Sequence, residues 1–122
     1  MQILQLNHVA IHVADVERSC AFYRDVLGLE QIPRPAFSFP GAWFRLGPDQ
    51  ELHIIGERTE EISGGPRGNH FALRVPSIRE AERRLREKGI AFHGPWQRPD
   101  GAWQIFLADP DGHYIELCEL PE

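Results

Sequence analysis

The sequence predicts an α+β fold: two tandem βαβββ modules forming a curved, eight-stranded, mostly antiparallel sheet with the helices outside. Three observations predict it. The segment Asn7-His8-Val9-Ala10-Ile11-His12-Val13 returns, half a chain later, as Asn69-His70-Phe71-Ala72-Leu73-Arg74-Val75. Each copy is followed by a stretch with helical spacing that opens on a capping residue and closes on glycine. Each helix is then followed by short strand-like runs separated by proline- and glycine-rich turns.

The first strand alternates. Val9, Ile11 and Val13 form one face; His8, Ala10 and His12 form the other. Asp15 then caps a helix whose apolar positions Val16, Cys20, Tyr23 and Val26/Leu27 fall at helical intervals, and Gly28 ends it. Strands are expected at 29–32, 42–46 and 51–55. Pro33-Arg34-Pro35 and Gly47-Pro48-Asp49 mark the turns between them. Residues 1–57 make the first module, and the polar, glycine-rich stretch 58–68 reads as a linker.

The second module, 69–122, repeats the plan. Ser77 and Glu80 have the spacing of a capping box. Ile78, Ala81 and Leu85 give the helix its apolar stripe, and Gly89 ends it. Strands are expected at 90–93, 102–108 and 113–119, with turns at Arg98-Pro99-Asp100-Gly101 and Asp109-Pro110-Asp111-Gly112. A module of this size buries too little surface to stand alone. The two together make a single domain over 1–122.

Composition narrows the function classes. The 122 residues are 42% apolar and carry a formal net charge of -5. Twelve of the thirteen cationic residues are arginines, scattered without a basic run, which excludes a nucleic-acid partner. No apolar stretch approaches the roughly 20 residues that cross a bilayer, so no membrane partner is expected. The first residues lack a positive region and a cleavable apolar core. A cytoplasmic location follows, with Cys20 and Cys118 as two reduced, buried thiols. Open sheet edges are usually paired, and the expectation is a homodimer.

Strand parity also locates the chemistry. His8 and His70 face away from the core side of their strands. So do His53 in Leu52-His53-Ile54 and Glu116 in Ile115-Glu116-Leu117. The first and last strands of both modules thus offer one metal-ligand-type residue apiece, at repeat-related positions. Three imidazoles and a carboxylate suit Zn, Ni, Co, Mn or Fe(II). His12, Trp43, Arg74 and Trp103 are the candidate pocket residues around such a site, with Phe39 and Trp96 as further apolar candidates. Arg74 would meet an anionic substrate or an ion-pair partner on the rim. His93 and His113 read as surface residues.

Two segments resemble the vicinal-oxygen-chelate superfamily of glyoxalases, bleomycin-resistance proteins and dioxygenases. One runs from Asn7-His8-Val9-Ala10-Ile11-His12-Val13-Ala14-Asp15 through Phe22-Tyr23-Arg24-Asp25-Val26-Leu27-Gly28-Leu29. The other is Phe106-Leu107-Ala108-Asp109-Pro110-Asp111-Gly112-His113-Tyr114-Ile115-Glu116-Leu117. The resemblance implies paired βαβββ modules and a divalent metal that chelates vicinal oxygens of a small-molecule substrate. It places His8, His53, His70 and Glu116 at the ligand positions. His53 departs from the pattern, since glyoxalase I usually carries glutamate there and the related epimerase glutamine. The activity implied is glyoxalase I- or epimerase-like proton transfer through a metal-stabilised enediolate, with Glu116 as the catalytic base. The alternatives are an Fe(II) extradiol-type dioxygenase, using His8, His70 and Glu116, and a resistance-type binding protein. Bleomycin-resistance proteins lack these metal residues, which makes the last the poorer reading.

Overall fold

A computed structural model describes all residues, Met1–Glu122, and divides them into two compact units, Met1–Glu60 and Glu61–Glu122. The class is α+β, as expected. Backbone hydrogen bonding groups the eight strands into two four-stranded sheets, one in each unit.

In the first unit, β1 (His8–His12) leads into α1 (Val16–Ala21), which continues as a π-helical turn over Phe22–Val26. The strands β2 (Gln31–Ile32), β3 (Gly41–Arg45) and β4 (Glu51–Ile55) follow. Their order is β1-β4-β3-β2, with β1 parallel to β4 and the other pairs antiparallel. Asp15 caps α1 by accepting from the Arg18 amide at 3.1 Å. Leu52 and Ile54 of β4, Ala42 and Phe44 of β3, and Ile11 and Val13 around β1 are all buried. The helix lays buried Cys20, Phe22 and Tyr23 against this unit's core, with the Tyr23 and Phe44 rings 6.3 Å apart.

The second unit repeats the order: β5 (His70–Arg74), α2 (Ile78–Glu87), β6 (His93–Gln97), β7 (Trp103–Ala108) and β8 (Tyr114–Glu119). Its sheet runs β5-β8-β7-β6, with β5 parallel to β8. Ile78 and Leu85 of α2 are buried, as are Ile105, Leu107, Ile115 and Leu117 of β7 and β8. Ser77 caps α2 by accepting from the Glu80 amide at 3.2 Å. The Glu80 carboxylate takes Arg83 as its partner, so the box closes from one side only. A second link fixes the helix: the Ile78 amide donates to Glu119 Oε1 at 2.8 Å.

Two strands depart from expectation. The second is confined to Gln31–Ile32. The sixth lies at His93–Gln97, beyond the expected 90–93. The amide of Ile90 is used to close α2, donating to the Leu85 carbonyl at 2.9 Å, so pairing starts later. The register then shifts between His93 and Trp96. Gly94 sits there with φ 104°, and a Cβ on it would meet the Gln104 carbonyl oxygen at 2.7 Å. The side-chain-free residue is what lets β6 approach β7 at that point.

Candidate metal centre

The ladder registers of the two units are equivalent. In the first, Ala10 pairs with His53; in the second, Ala72 pairs with Glu116. His8 and His70 each precede that alanine by two residues, on the same face. The four expected ligands therefore occupy matching rungs, which is the structural form of the sequence repeat. Each unit supplies two of them, and neither by itself gathers three or more His, Cys, Asp or Glu side chains around one ion position.

In the first unit the His8 and His53 rings stack 4.1 Å apart at 18°. Trp43, neighbour of His53 across the β3–β4 ladder, covers the other side of that ring at 4.0 Å and 3°. His8 Nδ1 lies 2.8 Å from Asn7 Oδ1. Donating there leaves Nε2 with its lone pair. His53 Nε2 lies 2.9 Å from Glu51 Oε1. A carboxylate only accepts, so the proton is on Nε2 and the lone pair on Nδ1.

In the second unit His70 Nδ1 lies 3.1 Å from the Gly68 carbonyl oxygen. A carbonyl also only accepts, so Nδ1 donates and Nε2 of the neutral ring is an acceptor. That nitrogen faces Glu116 Oε1 at 3.3 Å. Two acceptors would then face each other, so the contact calls for a proton on one of the two groups or a cation between them. Glu116 is only 4% exposed. Its other oxygen accepts from Gln104 Nε2 at 3.2 Å. A buried carboxylate whose protein partners are one amide and one imidazole is a costly arrangement without further positive charge. The donor set and its outward hydrogen bonds, to a carbonyl and to side-chain oxygens, fit a divalent metal.

The other expected residues divide. His12 shares the face of His8, and its Nε2 is 2.9 Å from the Gly56 carbonyl oxygen, which anchors the ring to the backbone. Trp43 lies on the site face, stacked on His53. Arg74 lies on the Glu116 face, paired in register with Cys118. Burial and the Glu116 charge push the Cys118 thiol up, so it is a poor nucleophile there. Trp103 is a correction. Its ladder partner is Glu119, and it shares parity with the buried Ile105 and Leu107. It therefore faces α2, where the Arg79 guanidinium lies 5.3 Å from its ring centre, and it does not border Glu116.

Three residues at the site were not singled out from the sequence: Glu51, Gln104 and Asn7. The parity of Glu51-Leu52-His53 already put Glu51 on the site face. Gln104 had no such signal beyond lying in a strand.

A family model for the glyoxalase/bleomycin resistance protein/dioxygenase superfamily matches residues 5–117. The chain belongs to that superfamily. Lactoylglutathione lyase of Salmonella typhimurium is 33% identical over 98% of this chain and 95% of its own length. Glyoxylase I 4 of Arabidopsis thaliana is 31% identical over 97% of this chain and 72% of its own. Among solved structures, a putative glyoxalase family protein from Bacillus anthracis superposes with TM-score 0.84 at 30% identity, over 99% and 98% of the two chains. Lactoylglutathione lyase from Agrobacterium tumefaciens shares the fold, with TM-score 0.75 at 20% identity. The glyoxalase fold here is thus a repeat whose two halves each present a pair of candidate ligands.

Proposed function

We propose that this member of the superfamily is a metal-dependent enzyme of glyoxalase I or epimerase type. It acts on a small substrate that presents two vicinal oxygens to the metal, and it works by proton transfer at the carbon beside them. The observation that carries the reading is the 3.3 Å contact of His70 Nε2 with buried Glu116 Oε1, at a rung equivalent to that of His53. Catalytic metal sites commonly take three protein ligands or more. The reading therefore requires the two pairs to serve one ion, within one chain or across a homodimer. The lyase names of the relatives support the reaction class.

When bound, the metal supplies Lewis acidity, which lowers the pKa of the C–H beside a chelated carbonyl. The chain's own residues do the rest. Gly68 holds His70 in one tautomer through Nδ1. Gln104 donates to Glu116 Oε2 and so steadies the carboxylate that would take and return the substrate proton. Burial around Glu116 keeps bulk water from competing for that proton.

A second reading has one observation in its favour. His53 Nε2 already serves Glu51, and if His53 stayed off the metal, His8, His70 and Glu116 would form the facial triad of an Fe(II) dioxygenase. The lyase relatives keep it second. The separating assay is solvent deuterium exchange at the α-carbon of α-hydroxycarbonyl substrates under anaerobic conditions. Exchange without oxygen is expected. Turnover only on admitting air, with no exchange beforehand, would install the dioxygenase reading instead.

A further inference from the structure

A cavity of about 710 Å³ opens within the second unit, lined by Pro66, Arg67, Trp96, Gln104 and Phe106. Two of these touch the His70–Glu116 pair. Gln104 donates to Glu116, and the Phe106 ring stands edge-on to His70 with centroids 5.5 Å apart. The cavity therefore abuts the proposed proton-transfer groups. Its volume lies in the range of small-molecule sites. A water's share of liquid is only about 30 Å³, so there is room for a body well beyond the few atoms that react.

The lining has two chemical characters. Trp96 is 49% exposed, large for an indole, and its ring lies 6.0 Å from that of Phe106 at 43°. With Pro66 they make an apolar wall. Arg67 is the one cation in the lining. Its guanidinium makes no hydrogen bond or ion pair. Arg24, Arg79, Arg83, Arg86 and Arg98 all spend theirs on neighbouring carboxylates. In a chain of net charge -5, an unpaired guanidinium beside an aromatic wall is free to receive an anion.

From this we infer that the cavity is the substrate's recognition subsite, and that the substrate is an organic carboxylate with a flat apolar body. Arg67 takes the carboxylate, Trp96 and Phe106 take the body, and the reactive end reaches His70 and Glu116. The inference rests on the proposed function for that last clause only. Occupation of the cavity is independent of the metal.

The probes are 2-naphthoate and its neutral isostere 2-naphthamide, titrated calorimetrically into the protein as purified and again after chelator treatment. The Trp96 indole N–H resonance, assigned with Trp96→Phe, reports the location. Naphthoate should bind about tenfold tighter than the amide, the scale of one charge-assisted hydrogen bond, and should shift Trp96 in both preparations. Arg67→Gln should erase the preference while leaving amide binding intact, which shows that the variant is folded. Equal binding of the two probes, a preference that survives Arg67→Gln, or no movement of Trp96 would overturn the inference. Because the chelated protein is included, loss of the subsite and loss of the metal reading give different results: the first abolishes probe discrimination, the second leaves it unchanged.

Discussion

His53 is held on three sides. Trp43 covers one face of its ring, His8 the other, and Glu51 takes its Nε2 proton. Parity in Glu51-Leu52-His53 was enough to place this histidine on the site face. It could not say which nitrogen would be free, because that depends on a hydrogen bond between residues two apart in one strand. The same limit applies to His70, whose Nδ1 is committed to a backbone carbonyl that no sequence pattern announces. Trp103 was legible and misread: Ile105 and Leu107 fix its parity toward α2. The Trp43–His53 stack gives a spectroscopic handle. Titration with Co(II), a paramagnetic quencher, should lower tryptophan fluorescence, and Trp43→Phe should remove most of that quenching while metal still binds. Quenching unchanged in Trp43→Phe would mean that the ion does not settle beside His53.

At the level of elements, the capping signals located both helices. Asp15 and Ser77 each accept from the amide three residues on, as Asp and Ser do at helix starts because the first turn has no carbonyl to offer its N–H groups. Removing the Ser77 hydroxyl with Ser77→Ala should cost about 1 kcal/mol of stability, read from urea unfolding. A loss near zero would show that the link from the Ile78 amide to Glu119 holds the helix start by itself. The sixth strand was less legible. Apolar residues at 90–93 resemble a strand, but Ile90 closes the helix, and the actual strand includes Gly94 and Pro95, which composition alone assigns to a turn. Tertiary pairing with β7 overrode local preference there.

At the scale of the whole molecule, the internal repeat carried the most information. It predicted the βαβββ order twice over and put four ligand-type residues on equivalent rungs. What it could not convey is how the two pairs would be brought to one ion, as the proposed function requires. The N-terminal segment bears on that question. Ile3, Leu4 and Leu6 are 78%, 84% and 69% exposed and lead into β1, an edge strand of its sheet. Apolar side chains beside an open edge favour pairing with a second copy. Light scattering should find two chains per particle at micromolar concentration, and Leu4→Asp/Leu6→Asp should shift it to one. A wild-type protein that is already monomeric at that concentration would remove the dimer from the account and leave both half-sites to be joined within a chain. The central claim, that His8, His53, His70 and Glu116 hold a catalytic metal, is tested most directly by elemental analysis of the protein purified without added metal. The account predicts about one divalent ion per chain in the wild type and nearly complete loss in His70→Ala/Glu116→Ala, since the remaining pair is too few to hold it. A double variant as rich in metal as the wild type would contradict it.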